Sequence, residues 1–466
     1  MAPKFGTSGL RGLVSELTDS LVSDYVRAFL GQCETGGTVF IGWDLRDSSP
    51  HIARQCIQAA KAVGVSVVNC GVLPTPALAL AAQEAAAGAI MITGNHIPAD
   101  RNGIKFYTTS GEITKENEAQ IVGALGQSVS RNTGDGAEMD GAAAARQLFV
   151  DRYTSVFPDS LIAGMRVGVY QHSSVARDLL VEILQKLGAE PIPLERTSKF
   201  VPVDTEAVDA TVRKKFADWC RAENLDALVS TDGDADRPML TDSTGTIVPG
   251  DVLGAISAEY LKAEVLCTPV SSNTMITRMP NFTEVYWTQI GSPYVVAGIE
   301  AVLTNEPGAR VVGYEANGGF LLGFEYRAER GAINPLLTRD CVMPIVATLA
   351  SAKGAGIAVA ELVKELPGRF TAADRIAGID SEISQAFLED LKTDAAKRRV
   401  FFHAAADEVS LDTTDGLRVT FANQDVVHLR PSGNAPEFRC YAESASPERS
   451  RDLVAKHLDR VARALA

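Results

Sequence analysis

Three times along this chain an apolar, strand-like run ends in a polar loop that contains glycine. Ala89-Ile90-Met91-Ile92 runs into Thr93-Gly94-Asn95-His96-Ile97-Pro98. Asp226-Ala227-Leu228-Val229-Ser230 runs into Thr231-Asp232-Gly233-Asp234-Ala235-Asp236-Arg237. Ala309-Arg310-Val311-Val312-Gly313 runs into Tyr314-Glu315-Ala316-Asn317-Gly318-Gly319. Helical patterns stand before these runs, over 50–63 and the Ala-rich 77–90, over 174–187 and 206–222, and near 273–279 and 293–303. Strand and helix in alternation predict largely parallel sheets covered by helices. In open α/β sheets ligands bind beyond the carboxyl ends of the strands, so three such loops predict one shared cleft.

The remainder reads differently. Asp425–Arg430 and Glu437–Tyr441 look like strands around a six-residue loop, and a helical pattern from 447 to 464 closes the chain. The expectation is α/β: three related α/β domains with mixed sheets, plus a C-terminal α+β domain, around a central cleft. The predicted limits are 1–150, 151–255, 256–368 and 369–466. A chain of 466 residues is long enough for that division.

Composition narrows the partners. The net charge of −14 argues against duplex nucleic acid, which needs a basic face. The seven cysteines, at 33, 56, 70, 220, 267, 341 and 440, are scattered and form no C-x-x-C pair. They read as reduced, mostly buried thiols of a cytoplasmic protein. MAPKFGTSGLRG has no apolar core of a signal peptide, and no run of 18 apolar residues predicts a membrane span. The oligomeric state is not legible.

The loops carry the chemistry. Asp232, Asp234 and Asp236 alternate, so a compact turn can aim all three at one hard cation such as Mg²⁺. The EF-hand reading fails, because Arg237 and Ser243 stand where such a loop needs Gly and Glu. The competing reading is an Asp-rich solvated turn. Arg430-Pro431-Ser432-Gly433-Asn434-Ala435-Pro436, followed by Arg439, offers backbone N–H groups between two arginines and suits a phosphate dianion; a plain surface hairpin is the alternative. Asn102-Gly103, between apolar stretches, predicts a tight turn that folds Lys105 back toward the Asn95 loop. Asp44, Arg46 and Asp47 read as a fold-supporting ion-pair network, and His172 as structural or cleft-facing.

In order, FGTSGLRG (5–12), TGNHIP (93–98), DGDADR (232–237), GYEANGG (313–319) and RPSGNAPEFRCY (430–441) resemble the α-D-phosphohexomutase family, which includes phosphomannomutase, phosphoglucomutase and phosphoglucosamine mutase. The resemblance covers nearly the whole chain and is closest to the phosphomannomutase branch. It implies four domains around a cleft, the fourth a small α+β unit. It also implies a mechanism: a phosphoserine gives its phosphoryl group to a hexose phosphate, the bisphosphorylated sugar reorients, and its other phosphate returns to the serine. Mg²⁺ assists and a hexose bisphosphate serves as activator. By motif position the resemblance makes Asp232, Asp234 and Asp236 the metal ligands. It sets Arg11, His96 and Lys105 around the transferring phosphate, and Arg237 against that phosphate or the sugar. Glu315, Asn317, Thr288 and Gly291 would read the sugar. Arg430, Ser432, Gly433, Asn434 and Arg439 would hold the phosphate that is not reacting.

One position departs from the pattern T-[AG]-S-H-[NI]-P. Asn95 stands where the family has its phosphoserine, and an amide cannot carry a phosphoryl group. Its side-chain oxygen could still face a metal. Three readings follow: a phosphomannomutase with little or no turnover, relocation of the phosphate to Thr93, or a non-catalytic sugar-phosphate-binding protein. A phosphoglucomutase or phosphoglucosamine mutase preference, and a sugar-phosphate phosphatase that uses Asp232, are the further alternatives.

Overall fold

The computed structural model describes residues 3–6, 9–127, 135–403, 406–431 and 437–465. Its four larger sheets draw their strands from residues 4–140, 166–241, 265–340 and 370–444. The first three sheets are mixed and are built alike at the position that matters. In the first, Thr38–Trp43 pairs in parallel with Ser66–Val72 and Gly88–Ile92, and Arg101–Thr108 then returns antiparallel to Gly88–Ile92. In the second, Arg166–His172 pairs in parallel with Glu190–Arg196 and Ala227–Thr231, and Pro238–Thr241 returns antiparallel. In the third, Val265–Pro269 pairs in parallel with Glu284–Thr288 and Val311–Tyr314, and Phe320–Leu322 returns antiparallel. Each of the three polar loops is therefore the connection between a central parallel strand and its antiparallel return. Those strands are buried at every residue and largely apolar, the signature of a strand covered on both faces.

The fourth sheet is wholly antiparallel, in the order Phe370–Ala377, Glu437–Ser444, Val426–Pro431, Leu417–Phe421, Glu408–Asp412. Helix Pro447–Leu465 packs on it and closes a separate apolar core around Leu417, Leu429, Phe438 and Val461. The first three sheets are not so independent. One apolar cluster runs from the Ala-rich helix Thr75–Glu84 through Phe149 and Tyr153 to helices Gly250–Tyr260 and Val342–Ala355. The three loops are thus anchored to a common body.

Proline sets the start of helices that leave these sheets. Thr75-Pro76 and Ser292-Pro293 occupy the first turns of Thr75–Glu84 and Ser292–Asn305, where the missing N–H costs nothing. The segment near 273–279 is a short 3₁₀ turn, Thr274–Arg278. All seven cysteines are buried free thiols. Among the described residues no single helix is long and apolar enough to cross a membrane.

The Asn102-Gly103 turn does not form. Both residues lie inside strand Arg101–Thr108, and the chain reverses earlier, between residues 93 and 100. Asn102 is fully buried, and its Nδ2 donates to Ser48 Oγ (2.8 Å) and Ser49 Oγ (2.9 Å). A Cβ on Gly103 would lie 2.5 Å from the Leu10 carbonyl oxygen and 2.9 Å from that of Thr93. The pair is there for a buried hydrogen bond and a close backbone approach, which a local turn signal cannot reveal. The predicted consequence survives: Lys105 does face the Asn95 loop.

Candidate active site

Asp232, Asp234 and Asp236 sit in the loop that follows strand Ala227–Thr231, and all three are buried. Their ligand-type oxygens lie within 4.8 Å of one another. Three carboxylates this close repel, and the surroundings answer with cations. Lys105, only 2% exposed, donates from Nζ to Asp234 Oδ2 (2.8 Å) and Asp236 Oδ2 (2.6 Å). Arg339 donates to Asp236 Oδ2 (2.5 Å) with one arm and to Glu315 Oε2 (3.0 Å) with the other. Thr75 donates to Asp234 Oδ2 at 2.6 Å. Burial would raise the Asp236 carboxyl, but Arg339, Lys105 and Arg237 together hold it well below the usual carboxylate range. Asp232 goes the other way: burial first, then Asp234 and Asp236, push it well above that range.

The arrangement fits a divalent cation. Asp232 Oδ2 and Asp236 Oδ1 are buried and have no hydrogen-bond partner among the described residues. Orphaned carboxylate oxygens in a trio are the donors a hard ion takes.

Asn95 lies in the middle. Its backbone is left-handed, at φ 52°, a conformation asparagine tolerates. Nδ2 donates to Asp234 Oδ1 (2.7 Å) and Asp236 Oδ2 (3.1 Å), while Oδ1 accepts from Arg11. The amide thus meets acidic partners with its NH₂ and a basic one with its oxygen. Thr93 is not placed to substitute. It is buried, and its Oγ1 accepts the Asn95 backbone N–H at 2.8 Å. His96 is held neutral, well below its ordinary range, by burial and by the nearby Arg237 and Arg11. Burial also lowers Arg11 to about 10, with Asp234 opposing.

Four cations, Arg11, Lys105, Arg237 and Arg339, face four carboxylates, Asp232, Asp234, Asp236 and Glu315. A bound divalent ion would add +2 and a phosphate dianion −2, so the two would offset one another. Arg237 is ready for that anion, since its Nε and one terminal nitrogen are buried without a hydrogen-bond partner among the described residues.

A second group lies toward the fourth sheet. Arg430 Nε donates to Asp415 Oδ1 (2.7 Å), and the other oxygen of Asp415 accepts the Ile290 backbone N–H (2.9 Å). Asp415 thereby links Arg430 to the Thr288–Gly291 stretch, where Thr288 Oγ1 donates to the Gln289 carbonyl and Gly291, at φ 134°, caps helix Ser292–Asn305. Arg439 donates to Glu437 at 3.2 Å, and its Nε is an orphan like those of Arg237. Ser432, Gly433 and Asn434 lie outside the described residues. Asn317 Oδ1 accepts the Gly319 N–H at 2.9 Å and shapes its own loop, while its carbonyl accepts from Thr205.

Sequence reasoning missed Arg339, Thr75, Asp415 and Glu206. Arg339 had a signal: a charged Arg-Asp pair ends an otherwise apolar strand, Leu336–Asp340. Glu206 had none. It lies in an irregular segment, with Oε2 3.7 Å from Arg237 and within electrostatic reach of Arg439.

Comparison with known proteins agrees with this geometry. The chain matches the Phosphoglucomutase/phosphomannomutase alpha/beta/alpha domains I, II and III over residues 2–131, 148–245 and 249–370. A phosphomannomutase of Sinorhizobium fredii is 43% identical over 98% of both chains. The chain belongs to the phosphoglucomutase/phosphomannomutase family. A phosphomannomutase of Salmonella muenchen is 38% identical over 98% of this chain and 95% of its own. A phosphoglucomutase/phosphomannomutase family protein from Burkholderia thailandensis shares the fold at a TM-score of 0.76 and 20% identity, over 98% of this chain and 96% of that one. The Aspergillus fumigatus N-acetylphosphoglucosamine mutase, solved with GlcNAc-6P and magnesium, aligns at a TM-score of 0.59 and 13% identity, over 100% and 96%. By whole-length kinship the chain is a phosphohexomutase, an intramolecular phosphotransferase, and is most like phosphomannomutase.

Proposed function

We propose that this site binds mannose 1-phosphate and mannose 6-phosphate with Mg²⁺, and that residue 95 separates recognition from turnover. The orphaned polar atoms support the first half: the free oxygens of Asp232 and Asp236 suit a divalent ion, and the unpartnered nitrogens of Arg237 suit a phosphate dianion, whose charges offset one another. Asp232, Asp234 and Asp236 hold the Mg²⁺, which supplies charge neutralisation for phosphoryl transfer. Arg11, His96, Lys105 and Arg237 surround the reacting phosphate. His96, kept neutral, is in the form that accepts a proton from a sugar hydroxyl. Glu315 and Asn317 with Thr288 and Gly291 read the sugar, and Arg430 and Arg439, with Ser432, Gly433 and Asn434, hold the distal phosphate.

The second half rests on Asn95. Its amide is bonded into the carboxylate cluster, and Thr93 is committed to the loop backbone. Asn95 itself offers no hydroxyl to relay a phosphoryl group, so this chain keeps binding and loses most of the rate. The test is conversion of mannose 1-phosphate to mannose 6-phosphate with Mg²⁺ and a hexose bisphosphate activator, beside Asn95→Ser. Turnover by the serine form alone, with equal substrate binding by both, is the expected result. Equal turnover by both sinks the assignment of residue 95. Binding by neither sinks the substrate class.

A further inference from the structure

Arg46 was expected only to support the fold, yet its side chain reaches the centre of the site from beneath. It lies just past strand Thr38–Trp43 and is fully buried. All five guanidinium N–H groups have acceptors. Nε donates to Asp44 Oδ2 (3.2 Å), one terminal nitrogen to the carbonyls of Pro98 (2.7 Å) and Arg101 (3.0 Å), and the other to those of Asn95 (3.0 Å) and Ile97 (2.6 Å). One side chain thus ties four carbonyls of the irregular segment 95–101. Gly94 is needed for this, since a Cβ there would lie 2.6 Å from Arg46 Cζ.

The guanidinium is also covered from outside its own sheet. The ring of Phe200, which follows the second sheet's strand Glu190–Arg196, has its centroid 4.0 Å from Arg46 Cζ. The same ring borders the metal loop. A Cβ on Gly233 would lie 3.1 Å from the Phe200 ring edge and 3.1 Å from the Asn95 carbonyl oxygen. Phe200 therefore touches the clamp that fixes residue 95 and the loop that carries Asp232, Asp234 and Asp236. The Asn95 side chain meets two of those aspartates, so the two loops must keep register to a fraction of an ångström.

We propose that Phe200 is a positioning residue: its ring, stacked on the Arg46 guanidinium, locks the residue-95 loop of the first sheet against the aspartate loop of the second. A cation held over an aromatic face is attracted by the ring quadrupole, and the attraction grows as water is excluded; here the guanidinium is fully buried and the ring half-buried. An aliphatic side chain of similar size would fill the space without that attraction.

Amide hydrogen exchange on the intact chain tests this, with Phe200→Leu, Phe200→Tyr and Arg46→Lys beside the wild type. Phe200→Leu is expected to speed exchange of the 94–101 amides about tenfold and to leave those of strand Ala227–Thr231 at wild-type rates. Arg46→Lys should do the same, and Phe200→Tyr should stay within about twofold of wild type. Unchanged exchange at 94–101 in Phe200→Leu overturns the proposal. So does an equal rise in strand Ala227–Thr231, or a tyrosine variant no better than leucine. If Phe200→Leu does not fold, 3,4,5-trifluorophenylalanine at position 200 decides. It keeps the shape and weakens the quadrupole; faster exchange at 94–101 supports the lock, and wild-type exchange overturns it.

Discussion

Lys105→Met removes one charge from the most crowded part of the molecule. The Nζ group bridges Asp234 and Asp236 at 2.8 and 2.6 Å, and the side chain is 2% exposed. Methionine fills a similar volume, so the loss is mainly electrostatic. Arg339 remains on Asp236, and Thr75 and Asn95 remain on Asp234. Breaking a buried ion pair by removing one partner costs about 3–5 kcal/mol. For a domain of this size that is a fall of roughly 10 °C in the transition involving the first two sheets. The cost has a ceiling, because the cluster can take up a proton instead. Asp232 is already raised well above the ordinary carboxylate range by burial and by its two neighbours. The folded variant, short of one cation, would then hold a proton more firmly than the folded wild type, so its deficit should shrink as pH falls, by up to about 1.4 kcal/mol per pH unit. Saturating Mg²⁺ should restore most of the loss, since the ion replaces the missing positive charge. Thermal melts of both proteins at pH 6 and 8, with and without Mg²⁺, read all three effects. A deficit under ~1 kcal/mol, independent of pH and of Mg²⁺, would refute the view that these carboxylates depend on Lys105.

Acid should destabilise the fold through its histidines. His172, His428 and His457 are each lowered to about 4 by burial, against the opposing pull of a hydrogen bond to a backbone carbonyl. They are neutral in the native protein and charge near 6.5 when unfolded. Their stabilising contribution is whole above 6.5 and is lost as pH falls toward 4, by roughly 2 kcal/mol per histidine at pH 5. Equal melting temperatures at pH 7 and pH 5 would contradict this. Glu206 supplies a different prediction. Its carboxylate is 39% exposed and lies 3.7 Å from Arg237, the arginine it would share with a phosphate. Glu206→Gln should tighten hexose-phosphate binding by about two- to fivefold, measured by calorimetric titration. Weaker binding would show that Glu206 orders the arginine rather than competes for it.

How much of this was readable beforehand follows from what each residue depends on. The three loops were legible because each is announced by its own strand, an apolar run that stops at a polar, glycine-bearing turn. Asp232, Asp234 and Asp236 needed only their own spacing. Lys105 was placed correctly for an incorrect reason, since the chain turns before Arg101 and not at Asn102-Gly103. The local signal lost to tertiary contacts, namely the Ser48 and Ser49 hydroxyls and the close passage of Leu10. Arg339 and Asp415 were missed because their partners lie far along the chain. Arg339 meets Asp236 across 103 positions, and Asp415 meets Ile290 across 125. No periodicity reports on such pairs. The Asp44–Arg46 pair was read as structural, and the ion pair is there, while Asp47 is exposed. What could not be read was that the same guanidinium holds the loop that carries residue 95.

Asn95 changes the order in which charge enters the site. A phosphoserine would bring its own dianion, which offsets a divalent ion before any substrate arrives. Here the residue between the cations and the carboxylates is a neutral amide. An ion that binds alone adds +2 to a buried pocket, and a phosphate that binds alone adds −2. Each state is costly where water is excluded. Metal and sugar phosphate should therefore favour one another's binding, by the same factor whichever binds first, because the coupling free energy between two ligands is reciprocal.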